Sequence, residues 1–177
     1  MSHFNLYLPI NILNIMTKIY LSYAYVDNQN FENNDRAWVS AFKDDLENEI
    51  SFLLGKIIPI TIFHDKQFAS PNLLTIKYIK AADIFIPIGT PAYFLSDYCQ
   101  KELKLFLNRK DIDPSPQIFL VDKRPFEEAA LQALLPLKNF FPFYNLSDKN
   151  EWDRKNSESE YFAQISNLAA QIGSYLL

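Results

Sequence analysis

Residues 83–106 read DIFIPIGTPAYFLSDYCQKELKLF. The first seven, DIFIPIG, form a short apolar run closed by glycine, the pattern of a strand buried on both faces. Ser96 then stands where a helix N-cap belongs, with Asp97 in the first turn next to the positive end of the helix dipole. From there Cys99, Leu103, Phe106 and Leu107 mark an expected apolar stripe. Glu102 sits beside that stripe, one turn after Tyr98. A carboxylate there is either a solvated rim residue, paired with Lys101 or Arg109, or the reactive group of a pocket supplied by the rest of the chain.

The same strand–helix alternation recurs on both sides of this stretch. KIYLSY (18–23) reads as a strand, and the helix after it carries Trp38, Phe42, Leu46, Ile50 and Leu53 on one face. IIPITIF (57–63) reads as a strand whose proline places it at an edge or a strand start. LLTIKYIKAA (73–82) is helical, QIFLVD (117–122) and FFPFY (140–144) are strand candidates, and FEEAALQALL between them is a helical piece. The chain closes on a helix with a Ser157/Glu160 capping-box pattern and a stripe of Tyr161, Ile165, Leu168, Ile172 and Leu176. The expected architecture is α/β: a flavodoxin-like, doubly wound, five-stranded, mostly parallel sheet with helices on both faces. In such sheets the site lies outside the carboxyl ends of the strands, which here carry SYAYVD (22–27), HDKQFASPN (64–72) and GTPAYFLSDY (89–98).

Composition removes several functions. The 177 residues contain three well-separated glycines, so no Gly-rich phosphate-cradling loop exists. Two histidines and one cysteine exclude a multi-His or Cys-rich metal site and an internal disulfide framework, and no metal is expected. A net charge of −4 without a dense basic run argues against a nucleic-acid partner. The apolar start, MSHFNLYLPINILNI, is too short to span a bilayer and lacks the features of a secretory signal. Residues 1–16 are read as an N-terminal arm, residues 17–177 as one domain, and the lone cysteine fits a reduced cytoplasmic setting.

KIYLSYAYVDN, the helix opening AWVSAF, ITIFHD, and IKAADIFIPIGTPAYFLSDYCQKEL, taken in order, resemble the bacterial type of Toll/interleukin-1 receptor (TIR) domain. SDYCQKEL is similar to the family's Ser-x-Trp-Cys-x-x-Glu-Leu, with Tyr98 at the tryptophan position. The resemblance implies either an assembly module that pairs with other TIR domains or an enzyme that cleaves NAD⁺ between nicotinamide and ribose. In the second case Glu102 is the catalytic group and Tyr98 lies near substrate. By the same analogy Ser22, Tyr23, Ala24, Trp38, Asp65 and Phe68 are substrate-binding candidates. NAD⁺ is then a substrate and no cofactor is required; the implied partners are other copies of the domain, in bacterial defence or signalling, with neither nucleic acid nor membrane.

The bland readings stand beside these. Tyr98 is otherwise a packed rim aromatic, Trp38 a core residue beginning the stripe of its helix, and Ser22, Tyr23 and Ala24 ordinary strand-end packing. Asp27 reads as a turn or cap residue, His64 as a strand-end residue with a local hydrogen bond, and Cys99 as an inert buried thiol. The chemistry itself requires little. An alkoxide leaving group needs a second carboxylic acid to protonate it, but nicotinamide departs from a cationic pyridinium as a neutral ring. One carboxylate that holds the ribose and steadies the developing oxocarbenium charge suffices. A nucleoside deoxyribosyltransferase-like enzyme, which also uses a glutamate on a similar fold, is a third reading that the SDYCQKEL context does not favour.

Overall fold

The computed structural model describes residues 17–29, 37–55, 60–64, 73–109, 117–125, 139–153 and 155–176. The expected arm 1–16 and the helical piece FEEAALQALL lie outside these residues. Strands β1 (Thr17–Ser22), β2 (Ile60–His64), β3 (Ile84–Gly89), β4 (Gln117–Asp122) and β5 (Asn139–Pro142) pair in the order β2-β1-β3-β4-β5, with every neighbouring pair parallel. The body of this sheet is the four-strand ladder β2-β1-β3-β4, not five equal strands. β5 is a four-residue piece laid along the outer side of β4, and its last residue is Pro142, which has no N–H to extend a ladder. Pro59, read as marking an edge or a strand start, lies outside the described residues. Pro87 sits inside central β3. There the β3–β4 register runs Ile84–Gln117 and Phe85–Ile118, then resumes at Ile88–Val121, with Pro87 in the interval.

Among the described residues the α-helices are α1 (Trp38–Leu53), α2 (Leu73–Ala81), α3 (Pro91–Leu95), α4 (Asp97–Leu107) and α5 (Glu158–Leu176). Side chains alternate across each strand, which sorts the core into two layers. Ile19 and Leu21 of β1 and Ile84, Ile86 and Ile88 of β3 face α1 and α5, where Phe42, Leu46, Ile50, Ile165 and Leu168 are buried. Tyr20 and Phe85 face the other way, onto Ile79, Leu103 and Phe106 of α2 and α4. This is the doubly wound arrangement, with helices on both faces of a parallel sheet.

Two helical stripes differ from expectation at their ends. In α1, Leu53 is exposed, and the next residue, Leu54 at the C-cap, is buried instead. In α4, Leu107 is 45% exposed and the buried set is Cys99, Glu102, Leu103 and Phe106. That is an i, i+3, i+4, i+7 face, so the helix is rolled toward Glu102. Arg109, just beyond α4, is half-buried. Its guanidinium donates to the carbonyls of Ile79 (3.2 Å), Lys80 (3.0 Å) and Ala82 (2.5 Å), closing the C-terminal end of α2, and it lies over the Phe106 ring.

Candidate active site

The rim at the carboxyl ends of β1 and β3 is built by short local signals. Thr90 follows β3 as the N-cap of α3: its Oγ1 accepts from the backbone N–H of Tyr93 at 3.1 Å, and Pro91 supplies a first-turn residue that has no N–H to satisfy. Ser96 caps α4 as expected, accepting from Cys99 N at 3.3 Å. The N-terminus of α1 has no cap of its own. Asn28, from the turn after β1, supplies one from a distance, its Oδ1 accepting from Ser40 N at 3.0 Å.

α4 carries Glu102 onto the α2/α4 face of the sheet, where it is 1% exposed. Tyr20 and Ser22, two apart in β1, point to that same face. The Tyr20 hydroxyl donates to Glu102 Oε1 in a short hydrogen bond, and Ser22 Oγ donates to Oε2 at 2.5 Å. Ser22 Oγ also lies 3.2 Å from the Tyr93 hydroxyl. Ser22 has one proton and the carboxylate only accepts, so Tyr93 supplies the proton for that contact. Burial first, then the nearby Cys99 and Glu102, push the Tyr93 phenol well above its ordinary value, which keeps it a neutral donor. Burial likewise raises the Cys99 thiol to about 12, so it is an inert thiol at neutral pH.

Of the residues read from sequence, Ser22 and Glu102 are in direct contact. Ala24 is buried with Tyr93 and Cys99 in a small cluster against which half-buried Tyr98 packs. Tyr23 goes to the opposite layer, among the α1/α5 core, as alternation along the chain requires. Trp38 joins that layer too: it stacks on Phe42 with ring centres 5.1 Å apart, and its indole N–H donates to the Trp152 carbonyl at 3.2 Å. Neither Tyr23 nor Trp38 is beside Glu102. Asp65 and Phe68 lie outside the described residues, as does the side chain of His64. Glu102 pairs with the two hydroxyls and not with Lys101 or Arg109, the partners considered for a solvated rim position.

A second group of residues on this rim joins Trp38 and Asp27, named from the sequence, to Thr90, Lys123 and Arg124, which were not. A cavity of about 350 Å³ opens at the ends of β1, β3 and β4, lined among others by Val26, Asp27, Trp38, Thr90, Lys123 and Arg124. Asp27 lies in the short turn Tyr25–Asn28, in keeping with a turn residue, but it is buried and accepts from Thr90 Oγ1 at 2.6 Å. Burial raises its pKa, against the lowering effects of Thr90, Lys123 and Arg124. Lys123 and Arg124 share Glu151, at 3.2 and 2.6 Å. Thr90 and Lys123 directly follow β3 and β4, Arg124 is one residue further on, and Asp27 lies in the short turn Tyr25–Asn28 after β1.

Asp122, the last residue of β4, is 2% exposed, and its Oδ1 has no hydrogen-bond partner. Burial raises its pKa to about 7, the Tyr144 hydroxyl and Lys149 opposing the shift. The unfolded value is about 4, so the folded state holds the extra proton between those limits. Stability from this group is therefore complete below about pH 4 and declines as pH rises to about 7. Asp122→Asn is expected to flatten that decline, leaving a melting temperature at pH 8 above the parent's. Thermal melts of both proteins at pH 5 and pH 8 check it; parallel shifts in the two would contradict the assignment.

Among the described residues no group of three or more His, Cys, Asp or Glu side chains could hold a metal ion, and no helix is long and apolar enough to cross a membrane. No family model matches the chain, and no curated protein matches it. Solved structures do resemble it. The flavodoxin-like domain of a Synechococcus protein aligns at TM-score 0.50 and 14% identity, over 89% of this chain and 97% of that one. An azoreductase from Bacillus anthracis aligns at 0.50 and 8% identity, over 90% and 100%. The TIR domains of the activated Roq1 resistosome align at 0.36 and 13%, over 87% and 84%. The chain has the flavodoxin-like α/β fold.

Proposed function

We propose that this chain is a TIR-type NAD⁺ glycohydrolase or cyclase in which Glu102 is the catalytic carboxylate. The observation that carries the reading is the burial of Glu102 at the carboxyl end of β1, held by one hydroxyl on each oxygen. The resemblance of SDYCQKEL to the family motif supports it. In the reaction the bond between nicotinamide nitrogen and ribose C1′ breaks, and its electron pair leaves with the neutral ring. Water, or a second nucleophile of the substrate in cyclisation, then bonds to C1′ and loses a proton. Glu102 steadies the positive character of C1′ and accepts from a ribose hydroxyl, in a dry setting where such contacts are strong.

At 1% exposure Glu102 meets no ribose until a neighbouring group yields. Ser22 is the smallest of its partners, and a ribose hydroxyl replaces the Ser22 proton donor on Oε2 without leaving that oxygen unpaired. Self-association supplies the rearrangement, so turnover belongs to the clustered protein and not to the dilute one. Release of nicotinamide from NAD⁺, followed by chromatography for protein tethered at high local concentration, tests this. Absence of release under those conditions removes the enzymatic reading.

The same burial favours a second reading. A carboxylate fully engaged by Tyr20 and Ser22 is also what a non-catalytic interaction module would use to lock α4 onto the sheet. In that case the clustered protein releases no nicotinamide, and a Glu102→Gln variant that stays folded still binds partner TIR surfaces.

A further inference from the structure

The cavity at the ends of β1, β3 and β4 brings two cations, a carboxylate–hydroxyl pair and an aliphatic wall to one place. Both cations are occupied by one internal carboxylate. Lys123 Nζ lies 3.2 Å from Glu151 Oε1 and Arg124 Nε 2.6 Å from Oε2, so Glu151 spans them with its two oxygens. The Lys123 side chain is only 5% exposed, too buried to be a solvated surface charge. Glu151 is half-buried and immediately follows the exposed segment 145–150, whose ends are fastened to the body through the Tyr144–Glu151 bridge and the Trp152 N–H bond to the Phe143 carbonyl (2.7 Å). A carboxylate at the foot of a surface turn thus fills an oxyanion position beside a cavity.

We propose that this cavity binds a sugar phosphate, the phosphate taking Lys123 and Arg124 from Glu151 and a sugar hydroxyl donating to Asp27 beside Thr90. Phosphate carries more charge and more acceptor oxygens than the carboxylate it replaces, and guanidinium holds it through a rigid fork of donors. Asp27 Oδ2 already accepts from Thr90, and a carboxylate has further lone pairs for a hydroxyl donor. Burial raises the pKa of Asp27. At about 350 Å³ the cavity is near the small end of ligand sites and suits a pentose phosphate. A stacked base has no open platform, because the Trp38 ring is engaged by Phe42 and by Lys123, whose Nζ is 5.0 Å from the ring centre. Glu102 is not on the cavity wall, so the assignment stands apart from the chemistry proposed there.

Calorimetric titration of the full chain with ribose 5-phosphate and, separately, ADP-ribose tests the site without turnover. Each probe is measured on the parent, Glu151→Gln, Lys123→Met and Arg124→Gln, all in the Glu102→Gln background. Removing the internal competitor with Glu151→Gln is expected to tighten binding roughly tenfold, and either cation replacement to weaken it roughly tenfold or more. Arg124 is 58% exposed, so Arg124→Gln keeps the test valid where Lys123→Met fails to fold. Ribose 5-phosphate binding alone identifies a free sugar phosphate as the source. Tighter ADP-ribose binding with the same dependence on the variants identifies a nucleotide's sugar phosphate. No binding of either probe at millimolar concentration, or affinities that ignore all three replacements, overturns the proposal.

Discussion

Replacing Glu102 with glutamine is expected to cut nicotinamide release from NAD⁺ by about 10²–10³-fold while the domain stays folded. The fold survives for a local reason. Glutamine keeps one carbonyl oxygen to accept from Tyr20, and the Ser22 hydroxyl turns to accept from the new amide, since hydroxyl protons rotate freely. What glutamine cannot do is present full negative charge to C1′ as nicotinamide leaves. Initial rates on clustered protein, set beside far-UV circular dichroism and a thermal melt, separate the two effects. Equal release by parent and folded variant would take Glu102 out of the mechanism, and an unfolded variant would assign it to holding α4 in place.

The largest effect on stability is expected from Phe42→Ala. Phe42 is fully buried between α1 and the sheet, stacked on Trp38 and edge-on to Phe143 at 5.5 Å. Truncation removes the transfer energy of the ring and leaves a cavity among neighbours that cannot close it, a loss of about 3–5 kcal/mol. Since domains of this kind are stable by only about 5–15 kcal/mol, the variant sits near the threshold of folding. Phe52→Ala on the same helix is the control: its side chain is 79% exposed, and its expected effect is within about 0.5 kcal/mol. Urea titrations with unchanged slope measure both. A Phe42→Ala loss below about 1 kcal/mol would mean that this layer repacks far more freely than its ring contacts imply.

The sequence was informative where periodicity and turn chemistry act locally. β4 runs over 117–122, as its apolar run predicted, and Ser96 caps α4. The sheet order and the two helical layers follow from strand–helix alternation. The ends of the helical stripes were less legible: Leu53 and Leu107 read as buried by residue type, but tertiary packing chose Leu54 and Glu102. No pattern of apolar residues marks a glutamate as buried, because the hydroxyls that make its burial possible lie some eighty residues away in β1. Strand alternation could have found them once Ser22 was named, since Tyr20 must share its face. Tyr23, by the same rule, must not, and analogy had grouped it with its neighbours. Lys123 and Arg124 escaped, and Asp27 was read only as a turn or cap residue, because loop residues become a cavity only when strands far apart in sequence end side by side.

Cys99 carries one more consequence. It is the chain's single thiol, wholly enclosed one turn before Glu102 and held protonated by its surroundings. A thiol-reactive reagent therefore labels it only when α4 lifts from the sheet, and the labelling rate counts those openings in the unmodified protein. If clustering prepares Glu102 by loosening this contact, alkylation of Cys99 should quicken on tethering with no substrate present. If clustering leaves the contact shut, the rate will not change. The protein thus carries its own gauge of when its buried acid becomes reachable.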